Sequence, residues 1–427
     1  AGDRFVTVDA RPVRTRSQLA EALSGDEAVW GDRQIEVEIL RDDASRTLSW
    51  VPFPATRYRE KEGPDGETPL RPGRLIDVYQ QLDVTFAGYP LEFSEHCYLG
   101  TTHSEEALEV ELPMGSYLLV LRLDGRDDLR YPLLVPSEES EVTVEIPPRE
   151  RVPPGFVHVP RGPVEYGGDP EAYDPLDAGR VILGDFFIAR HETTLGEWLE
   201  FVNAPEVRLH VDKKTGSAPP MRDWNSAALR ALTPRPEEGI DTIQWIPFSV
   251  LRDDLLFRWD ETEMRWKLKE RIEPSWPLRG VSMLAGLEYA HWRTQESDGR
   301  WRFRLPTDLE WEKAARGVDR RPFVWGNYLL WTFCHSDFGW YSGRQPRPVG
   351  AYSTDESIYG VRDLAGSMKE PIPEQALPDH RLNVLRGGEW ETVDRRDFHA
   401  ASRNRRRPWL VFDFVGLRLA ADFVKNP

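Results

Sequence analysis

The scarcity of helix signals in residues 155–427 is the feature that most constrains the fold of this chain. Thr194 and Thr307 each stand three residues before a glutamate and directly before an apolar stripe, the capping-box pattern of a helix start. Ser282 begins a third predicted helix. The chain around these helices, including a Trp- and Arg-rich insertion at about 205–275, has low periodicity, and its C-terminal part shows only short strand-like pieces at 383–385 and 416–420. Because so few helices are available, short strands and irregular segments must build most of this region, and we predict an α+β fold.

Composition excludes several classes of protein. The chain has 427 residues, which is long enough for two or three domains, and its net charge of -17 disfavours nucleic acid and anionic membranes as partners. Its apolar runs are all shorter than the roughly 20 residues needed to cross a bilayer. Two cysteines cannot form a disulfide framework, and the first residues lack the character of a signal peptide. We therefore expect a cytoplasmic protein.

The first part of the chain has the alternation of apolar and polar residues that is typical of half-buried strands. Such alternation occurs at 35–40, 117–123, 131–135 and 141–146. The short spacing predicts a small, all-β, sandwich-like domain at 32–150. A segment at 1–31, with one helix at 17–23, precedes it. A Pro-rich stretch at 147–155 marks the boundary with a domain at 155–427.

Several phrases in the second domain carry a family resemblance. They are GFVHVP at 155–160, DFFIARHETT at 185–194, RLPTDLEWE at 304–312, RGGEW at 386–390 and VGLRLA at 415–420. In this order the phrases resemble the formylglycine-generating enzyme (sulfatase-modifying factor) family. The resemblance spans about 156–422 and implies a C-type-lectin-like fold for the C-terminal domain.

A second resemblance concerns the strand-rich part. The stretches 115–122 and 130–135 are similar to the segment that precedes this domain in bacterial Ser/Thr protein kinases. The chain itself has no Gly-rich loop and no His-Arg-Asp motif. The resemblance therefore implies association with a protein kinase, or a stand-alone relative of the non-kinase part.

The family's reaction depends on two cysteines five residues apart, the second followed by Ala-Ala-Arg. Counting back from Arg403, the positions are Arg395 and Ala400 in this sequence. Neither side chain can bind copper as a thiolate or exchange disulfides, so we expect no formylglycine-generating activity. The related sulfoxide synthases bind iron through a His-rich helical domain, which this sequence does not display. An enzyme of this superfamily with a redeployed active site remains the alternative to a binding protein.

The sequence contains only incomplete candidates for a metal site or a catalytic nucleophile. The family's calcium phrase is reduced to Glu370 beside Lys369, so Glu370 is the one candidate ligand for calcium, and no other cofactor is expected. His96-Cys97 with His103 lacks a fourth ligand. Cys334-His335 with Asp337 resembles a Cys–His pair, but adjacent residues of an extended chain point to opposite faces. His191 is expected to be a packed or surface residue.

The most unusual composition lies near the C-terminus, where arginines cluster with aromatic residues. Arginines paired with acidic residues on a solvated face are the plain interpretation. The alternative is a recognition surface for an unidentified protein or peptide, preferably acidic, carboxylate-bearing or phosphorylated. The predicted ligand-binding residues are Glu391, Val393, Arg395, Arg396, His399, Arg403, Arg405, Arg407, Trp409 and Phe412.

The same segment permits one more hypothesis. Variable proteins of diversity-generating retroelements use this fold and vary in their C-terminal stretch, and residues 388–420 have the corresponding framework. The positions that differ from the family norm are Glu391, Thr392, Val393, Asp394, Trp409, Leu410 and Val411. This chain would then be a variable receptor.

Overall fold

The structure is a computed structural model. It describes residues 115–122, 128–135, 145–219, 243–250, 252–327, 329, 331–337, 346–373 and 382–424, and the backbone of the strands between residues 4 and 102. The predicted helix at 17–23 and the group His96, Cys97 and His103 lie outside the described residues.

The described helices are few, as the sequence predicts. They are α1 Leu195–Asn203, α2 Pro205–Arg208, α3 Met283–Glu296 and α4 Asp308–Arg316, with 3₁₀ turns at Arg149–Arg151, Trp331–Phe333 and Arg395–Phe398. The strands are β1 Arg4–Val8, β2 Arg11–Pro12, β3 Ile35–Arg41, β4 Ala44–Trp50, β5 Leu75–Gln81, β6 Tyr98–Thr102, β7 Gly115–Arg122, β8 Leu129–Val135, β9 Phe156–Val159, β10 Gly162–Tyr166, β11 Gly179–Leu183, β12 Phe186–Ala189, β13 Ser217–Ala218, β14 Ile243–Gln244, β15 Phe248–Ser249, β16 Asp254–Leu255, β17 Phe257–Asp260, β18 Arg265–Leu268, β19 Trp301–Arg304, β20 Glu370–Ile372, β21 Asn383–Arg386, β22 Asn404–Arg406 and β23 Ala420–Phe423.

The chain divides into two compact units, Ala1–Arg71 with Trp340–Ser342, and Pro72–Gly339 with Gly343–Pro427. In the first unit, β1 to β4 form an antiparallel sheet of order β2-β1-β3-β4. The division falls inside the predicted segment 32–150. The three-part arrangement 1–31, 32–150 and 155–427 stays a prediction.

Strands β5 to β8 form an antiparallel sheet of order β6-β5-β7-β8 in the second unit. Leu118 and Val120 of β7 are buried in the same apolar cluster as Phe186 and Ile188 of β12. The predicted strands at 35–40, 117–123 and 131–135 are confirmed to within a residue or two. Of the predicted strand at 141–146, only residues 145–146 are described, and these two belong to no strand.

Capping explains where the helices begin. The hydroxyls of Thr194 and Thr307 each accept the backbone N–H three residues on, and the glutamate there accepts the N–H of its threonine. Ser282 caps α3 through the backbone N–H of Ala285. At the end of α4, Gly317 has a φ of 70°, which glycine adopts readily because it has no Cβ. The three helix starts predicted from sequence are confirmed.

The C-terminal domain surrounds a four-stranded antiparallel sheet of order β19-β23-β12-β9. One apolar cluster packs α1 and α3 against this sheet, with Trp198 and Tyr289 5.1 Å apart between ring centroids. The indole N–H of Trp198 donates to the backbone oxygen of Trp245, 2.7 Å away, so the insertion is fixed to this core. The second cluster packs α4 against the other face. The fold is therefore mixed, with few helices and several short sheets, as predicted.

The three-stranded sheet β20-β21-β22 carries the C-terminal segment of interest. The predicted strand at 383–385 corresponds to β21. The predicted strand at 416–420 is wrong in its position, because β23 begins at Ala420. Residues before it run irregularly and bond to other loops, as Gly416 does to Lys369. Among the described residues, no helix is long and apolar enough to span a membrane.

Candidate functional site

The sheet β20-β21-β22 presents two different faces because its side chains alternate. Ile372 and Val384, paired in the ladder, are buried in the apolar core on one face. Their neighbours Pro371, Leu385 and Asn383 turn the other way. These three line a depression whose remaining walls are Met283, Arg406, Arg407, Pro408, Leu410, Phe412 and Val415.

Arg403 lies beneath this surface and not on it. It is 1 % exposed, and its guanidinium bonds the Asp308 carboxylate at 2.8 Å. Arg386 bonds the same carboxylate at 2.5 Å and Glu312 at 2.7 Å. The arginines thus bind β21 and β22 to helix α4. Arg403 is placed as a structural residue, although the sequence grouped it with the ligand-binding arginines.

Glu370 has a similar internal role. Both of its carboxylate oxygens accept from the Nε of Arg418, at 2.8 and 3.0 Å, and one also accepts from the indole of Trp311 at 2.6 Å. A calcium ion would have to displace a buried guanidinium that already neutralises the charge. The residues around Glu370 therefore do not fit a calcium site. Across the described part of the chain, no group of three or more His, Cys, Asp or Glu side chains is arranged to hold a metal.

The two positions assigned to the family's cysteines do not face each other. Arg395 is 58 % exposed at its side chain and pairs with Glu171, while Ala400 is buried in the core. Thr392 and Asp397 are also five residues apart, and the Thr392 hydroxyl lies 3.0 Å from the Asp397 carboxylate. The assignment of Arg395 and Ala400 to the cysteine positions stays a prediction, and neither pair provides a thiolate.

The acidic loop at 169–174 contacts another part of the predicted set of ligand-binding residues. His399 is buried, and its Nδ1 lies 2.8 Å from the carboxylate of Asp169. Arg405 pairs with Asp174 at 3.3 Å, and Arg396 pairs with Asp394 at 2.6 Å. The backbone N–H of Arg403 donates to Tyr173, which holds the loop in place. These contacts make His399 a structural residue and leave Arg395, Arg396 and Arg405 with acidic partners.

Further along the chain lie exposed arginines that make no ion pair within the part of the molecule that the structure describes. Arg406 and Arg407 are exposed, and within the described ranges neither makes an ion pair with a carboxylate. The Arg407 guanidinium lies 5.6 Å from the Trp409 ring centroid. Leu410 is 41 % exposed, and Phe412 stacks on Phe414. We call residues 405–412 the cationic rim. Of the residues predicted from sequence, it brings together Arg405, Arg407, Trp409 and Phe412.

A titratable cluster borders the same sheet face. The buried ammonium of Lys369 lies 3.2 Å from the Asp397 carboxylate, and burial lowers the pKa of Lys369. Burial raises the pKa of Glu389 to about 7. Glu391 is half-buried, with its N–H donated to Glu389, and Val393 is exposed. The predicted site residues omitted Arg406 and Glu389. For Arg406 the signal was its place between Arg405 and Arg407, and for Glu389 it was the glutamate in place of serine in the family's Arg-Gly-Gly-Ser-Trp phrase.

Two remaining sequence motifs are packed in the core. Burial raises the pKa of the Cys334 thiol, which disfavours the thiolate that a nucleophile requires. Burial, with the charge of Arg418 next in importance, lowers the pKa of His191 to about 4. The neighbouring Glu192 accepts hydrogen bonds from the Ser367 hydroxyl and the Met368 N–H. This part of the domain is an internal polar network.

Asp355 in that network predicts a pH dependence of stability. Burial first, then the charge of Asp363, raises the pKa of Asp355 to about 7, although it accepts backbone N–H groups from Ala365 and Gly366. Between its unfolded pKa and about 7, the folded protein holds a proton that the unfolded chain has lost. Stability therefore falls as pH rises through this window, and Asp355→Asn removes that loss. We expect the free energy of unfolding of the variant, relative to that of the wild type, to rise by about 1–3 kcal/mol from pH 5 to pH 8 when both are measured by urea denaturation. If this difference in free energy of unfolding were the same at pH 5 and pH 8, the raised pKa of Asp355 would be contradicted.

Several known proteins resemble part of this chain. The chain is 28% identical over 299 residues to the hercynine oxygenase of Mycolicibacterium smegmatis, covering 62% of this chain and 61% of that protein. It is 30% identical over 174 residues to the bovine (Bos taurus) inactive C-alpha-formylglycine-generating enzyme 2, covering 38% and 54%. It is 30% identical over 163 residues to the serine/threonine-protein kinase pkn1 of Chlamydia pneumoniae, covering 35% and 25%. The chain thus spans less than two thirds of the length of each of these relatives.

The family assignment agrees with the fold and with the phrases found in the sequence. Residues 142–423 match the sulfatase-modifying factor enzyme 1-like domain, which is more than half of the chain. The match includes α1 to α4, the central sheet and the sheet that carries the cationic rim. This chain belongs to the sulfatase-modifying factor enzyme 1-like (FGE-sulfatase) domain family.

Proposed function

We propose that the protein binds an acidic protein or peptide through the cationic rim and has no formylglycine-generating activity. The observation that carries the proposal is the state of Arg406 and Arg407. Both are exposed and, in the described part of the molecule, lack carboxylate partners, although the chain has 72 acidic against 55 basic residues. In such an excess of acid, unneutralised guanidiniums are available for a carboxylate from another molecule.

The neighbouring arginines support a narrower site than the sequence suggested. Arg395, Arg396 and Arg405 already have acidic partners in the same chain. Pairs at exposed positions contribute little free energy, so these residues can assist a ligand without defining it. The centre of binding is therefore assigned to Arg406 and Arg407, with Trp409 and Phe412 supplying contact area.

The overall charge and the local charge act over different distances. A net charge of -17 repels an acidic ligand, but salt screens charges beyond roughly 8–10 Å. At contact distance the two guanidiniums dominate. The affinity of an acidic peptide is therefore expected to fall as salt is raised beyond physiological concentration, because the contacts lie on the surface.

A fluorescent peptide of alternating Glu and Leu tests the proposal. Arg406→Ala with Arg407→Ala should weaken its binding at least about tenfold in an anisotropy titration, since two charge-assisted contacts are lost. Arg180→Ala with Arg302→Ala is the matched control, because these two exposed arginines lie outside the rim and the change in net charge is the same. Equal weakening by both pairs, or no binding to the wild type, would contradict the proposal.

The alternative is an enzyme with a redeployed site, and the Lys369, Asp397 and Glu389 cluster is the observation that favours it. The pKa shifts of Lys369 and Glu389 are those expected of acid–base groups, but structural ion pairs produce such shifts as well. The hercynine oxygenase relative belongs to the same alternative. Conversion of the cysteine in a sulfatase-type peptide by purified protein with copper would decide for an enzyme and against the proposal.

Two biological settings fit a binding protein, and we propose both as hypotheses: a sensory part linked to a kinase, and a variable receptor. A cytoplasmic location is proposed with them. The positions suggested to vary favour a receptor, because Glu391, Val393, Asp394, Trp409, Leu410 and Val411 all reach solvent, and only Thr392 is buried. The neighbouring DNA separates the two settings: a reverse-transcriptase gene with a near-copy of the segment for 388–420, or an upstream kinase reading frame.

A further inference from the structure

The acidic loop at 169–174 lies across arginines that the cationic rim includes only at Arg405. The Glu171 carboxylate forms an ion pair with Arg395, and the Asp174 carboxylate lies 3.3 Å from the Arg405 guanidinium. A segment of the chain itself therefore supplies a carboxylate to each of two arginines. These contacts are of the kind that the proposed function assigns to a separate acidic peptide.

The middle of the acidic loop contacts the same surface through a ring and through the backbone. The Arg396 guanidinium lies 5.4 Å from the ring centroid of Tyr173, which is within the range of a cation–π contact. The Tyr173 N–H donates to the Ser402 hydroxyl at 2.9 Å, and the Tyr173 oxygen accepts from the Arg403 N–H at 2.8 Å. The loop therefore combines a pair of backbone hydrogen bonds with side-chain contacts, as a bound peptide does.

The contacts between the acidic loop and the arginines are exposed. Both side chains of the Glu171–Arg395 pair are more than half exposed, and the Tyr173 ring is 42 % exposed. Water and salt screen ion pairs in such positions, so they contribute little to stability. Within residues 171–174 only the small side chain of Ala172 is buried. A ligand that offers the same groups can therefore replace this part of the loop.

The base of the acidic loop is held by other contacts. The Gly167 N–H donates to the buried carboxylate of Glu312 at 2.7 Å, and the ladder of β10 and β11 closes the loop behind it. The Asp169 carboxylate lies 2.8 Å from Nδ1 of the buried His399. These contacts do not involve the arginines. Residues 171–174 can therefore leave the surface while the two ends of the loop stay together, as in an Ω-loop.

We propose that the acidic loop occupies a second peptide-binding surface, formed by the three arginines that it contacts, and that an acidic peptide with an aromatic residue displaces it. The proposal rests on the proposed function and adds the regulation of that site. The ligand class follows from the groups of Glu171, Tyr173 and Asp174: a carboxylate, then an aromatic ring, then a second carboxylate. Because the loop is tethered, it competes with an external ligand at a high effective concentration. A closed loop thus limits an external peptide to Arg406 and Arg407.

A fluorescent peptide with the sequence of residues 167–178 tests the proposal in an anisotropy titration. Glu171→Gln with Asp174→Asn removes the carboxylates of the loop and keeps the size of its side chains. The peptide should bind this loop variant about five- to tenfold more tightly than the wild type, because two exposed ion pairs no longer hold the loop. Glu261→Gln with Glu263→Gln is the matched control, since these exposed glutamates lie in the turn between β17 and β18 and the change in net charge is equal. An equal gain in the control, or no gain in the loop variant, overturns the proposal.

A second comparison tests whether the gain comes from the uncovered arginines. Arg395→Ala with Arg396→Ala, added to the loop variant, should abolish the gain in affinity. Arg258→Ala with Arg302→Ala, at two exposed arginines outside this surface, should leave most of it. An equal loss in both cases would mean that net charge alone sets the affinity, and the proposal would fall. Melting temperatures within a few degrees of the wild type confirm that the variants are folded.

Hydrogen exchange measured by mass spectrometry detects the displacement itself. When the loop leaves, the Tyr173 N–H loses its acceptor, so residues 169–174 of the wild type should exchange at least about threefold faster when the peptide is saturating. Helix α1 at 195–203 should exchange at an unchanged rate. Unchanged or slower exchange at 169–174 in the complex contradicts displacement.

The outcomes separate this proposal from the one it rests on. If the loop variant gains no affinity while Arg406→Ala with Arg407→Ala still weakens binding of the Glu- and Leu-containing peptide, the acidic loop has no regulatory role and the cationic rim stands. If neither peptide binds the wild type or the loop variant, the proposed function and this inference are both overturned.

Discussion

Replacing Arg418 by methionine is expected to lower the free energy of unfolding by about 3–5 kcal/mol. The guanidinium is 1 % exposed and bonds Glu370, the backbone oxygen of Ala189 at 2.9 Å and that of Arg362 at 2.7 Å. Methionine fills much of the volume but leaves the buried Glu370 carboxylate without its cation and the backbone acceptors without their donor. Chemical denaturation followed by the fluorescence of the tryptophans measures the loss.

A second change separates lost charge compensation from lost packing. Adding Glu370→Gln to Arg418→Met removes the uncompensated charge, while the amide oxygen can still accept from Trp311. The double variant should therefore recover part of the loss. Arg302→Met is the control, since its ion pair with Asp422 is 66 % exposed at the arginine and should contribute less than about 1 kcal/mol. If Arg418→Met cost no more than Arg302→Met, the buried network would not stabilise the fold as described.

The second large effect is expected at Gly280, which connects the insertion to the cationic rim. Its N–H donates to Phe412, and its oxygen accepts from Phe248 at 2.9 Å. Gly280 has a φ of +70°, and an added Cβ would lie 2.1 Å from the Phe248 backbone oxygen. Because backbone atoms cannot move aside as a flexible side chain can, Gly280→Ala should cost more than about 4 kcal/mol or prevent folding. Denaturation, or soluble yield where folding fails, measures it.

Gly299 offers a control with the same backbone conformation. Its φ is +71°, but nothing lies within 4 Å of the position of an added Cβ. Gly299→Ala should therefore cost only the left-handed conformation of alanine, about 1–2 kcal/mol. Similar costs for the two variants would show that strain in φ, and not the approach of Phe248, requires glycine at 280. In that case the insertion would not fix the position of Phe412.

Much of the fold could be predicted because its signals are local. A capping box uses residues three apart, so Thr194 and Thr307 mark their helices without knowledge of the rest of the chain. The positions of strands were predicted less accurately than the starts of helices. The apolar run at 416–420 suggested a strand, but Leu417 and Leu419 are buried in the apolar cluster of α1 and α3, and pairing with β19 starts at Ala420. Periodicity records burial, and burial alone does not require a ladder.

The sequence predicted which kinds of residue form the candidate site, but only some of the individual residues. The predicted set contains five of the six arginines between 395 and 407, all but Arg406, because they are close along the chain. The structure separates them by partners that are distant in sequence: Asp308 holds Arg403, Glu171 holds Arg395 and Asp174 holds Arg405.

By itself the sequence determined the family, the helix starts and the lack of cysteines in the segment where the family's enzymes use them. These properties depend on residue identity and short spacing. Only the tertiary structure decided which charged side chains are internal, such as Arg386, Arg403 and Arg418, and which remain available, such as Arg406 and Arg407. The physical reason is that desolvation and pairing depend on the atoms that surround a charge, and those atoms come from distant parts of the chain.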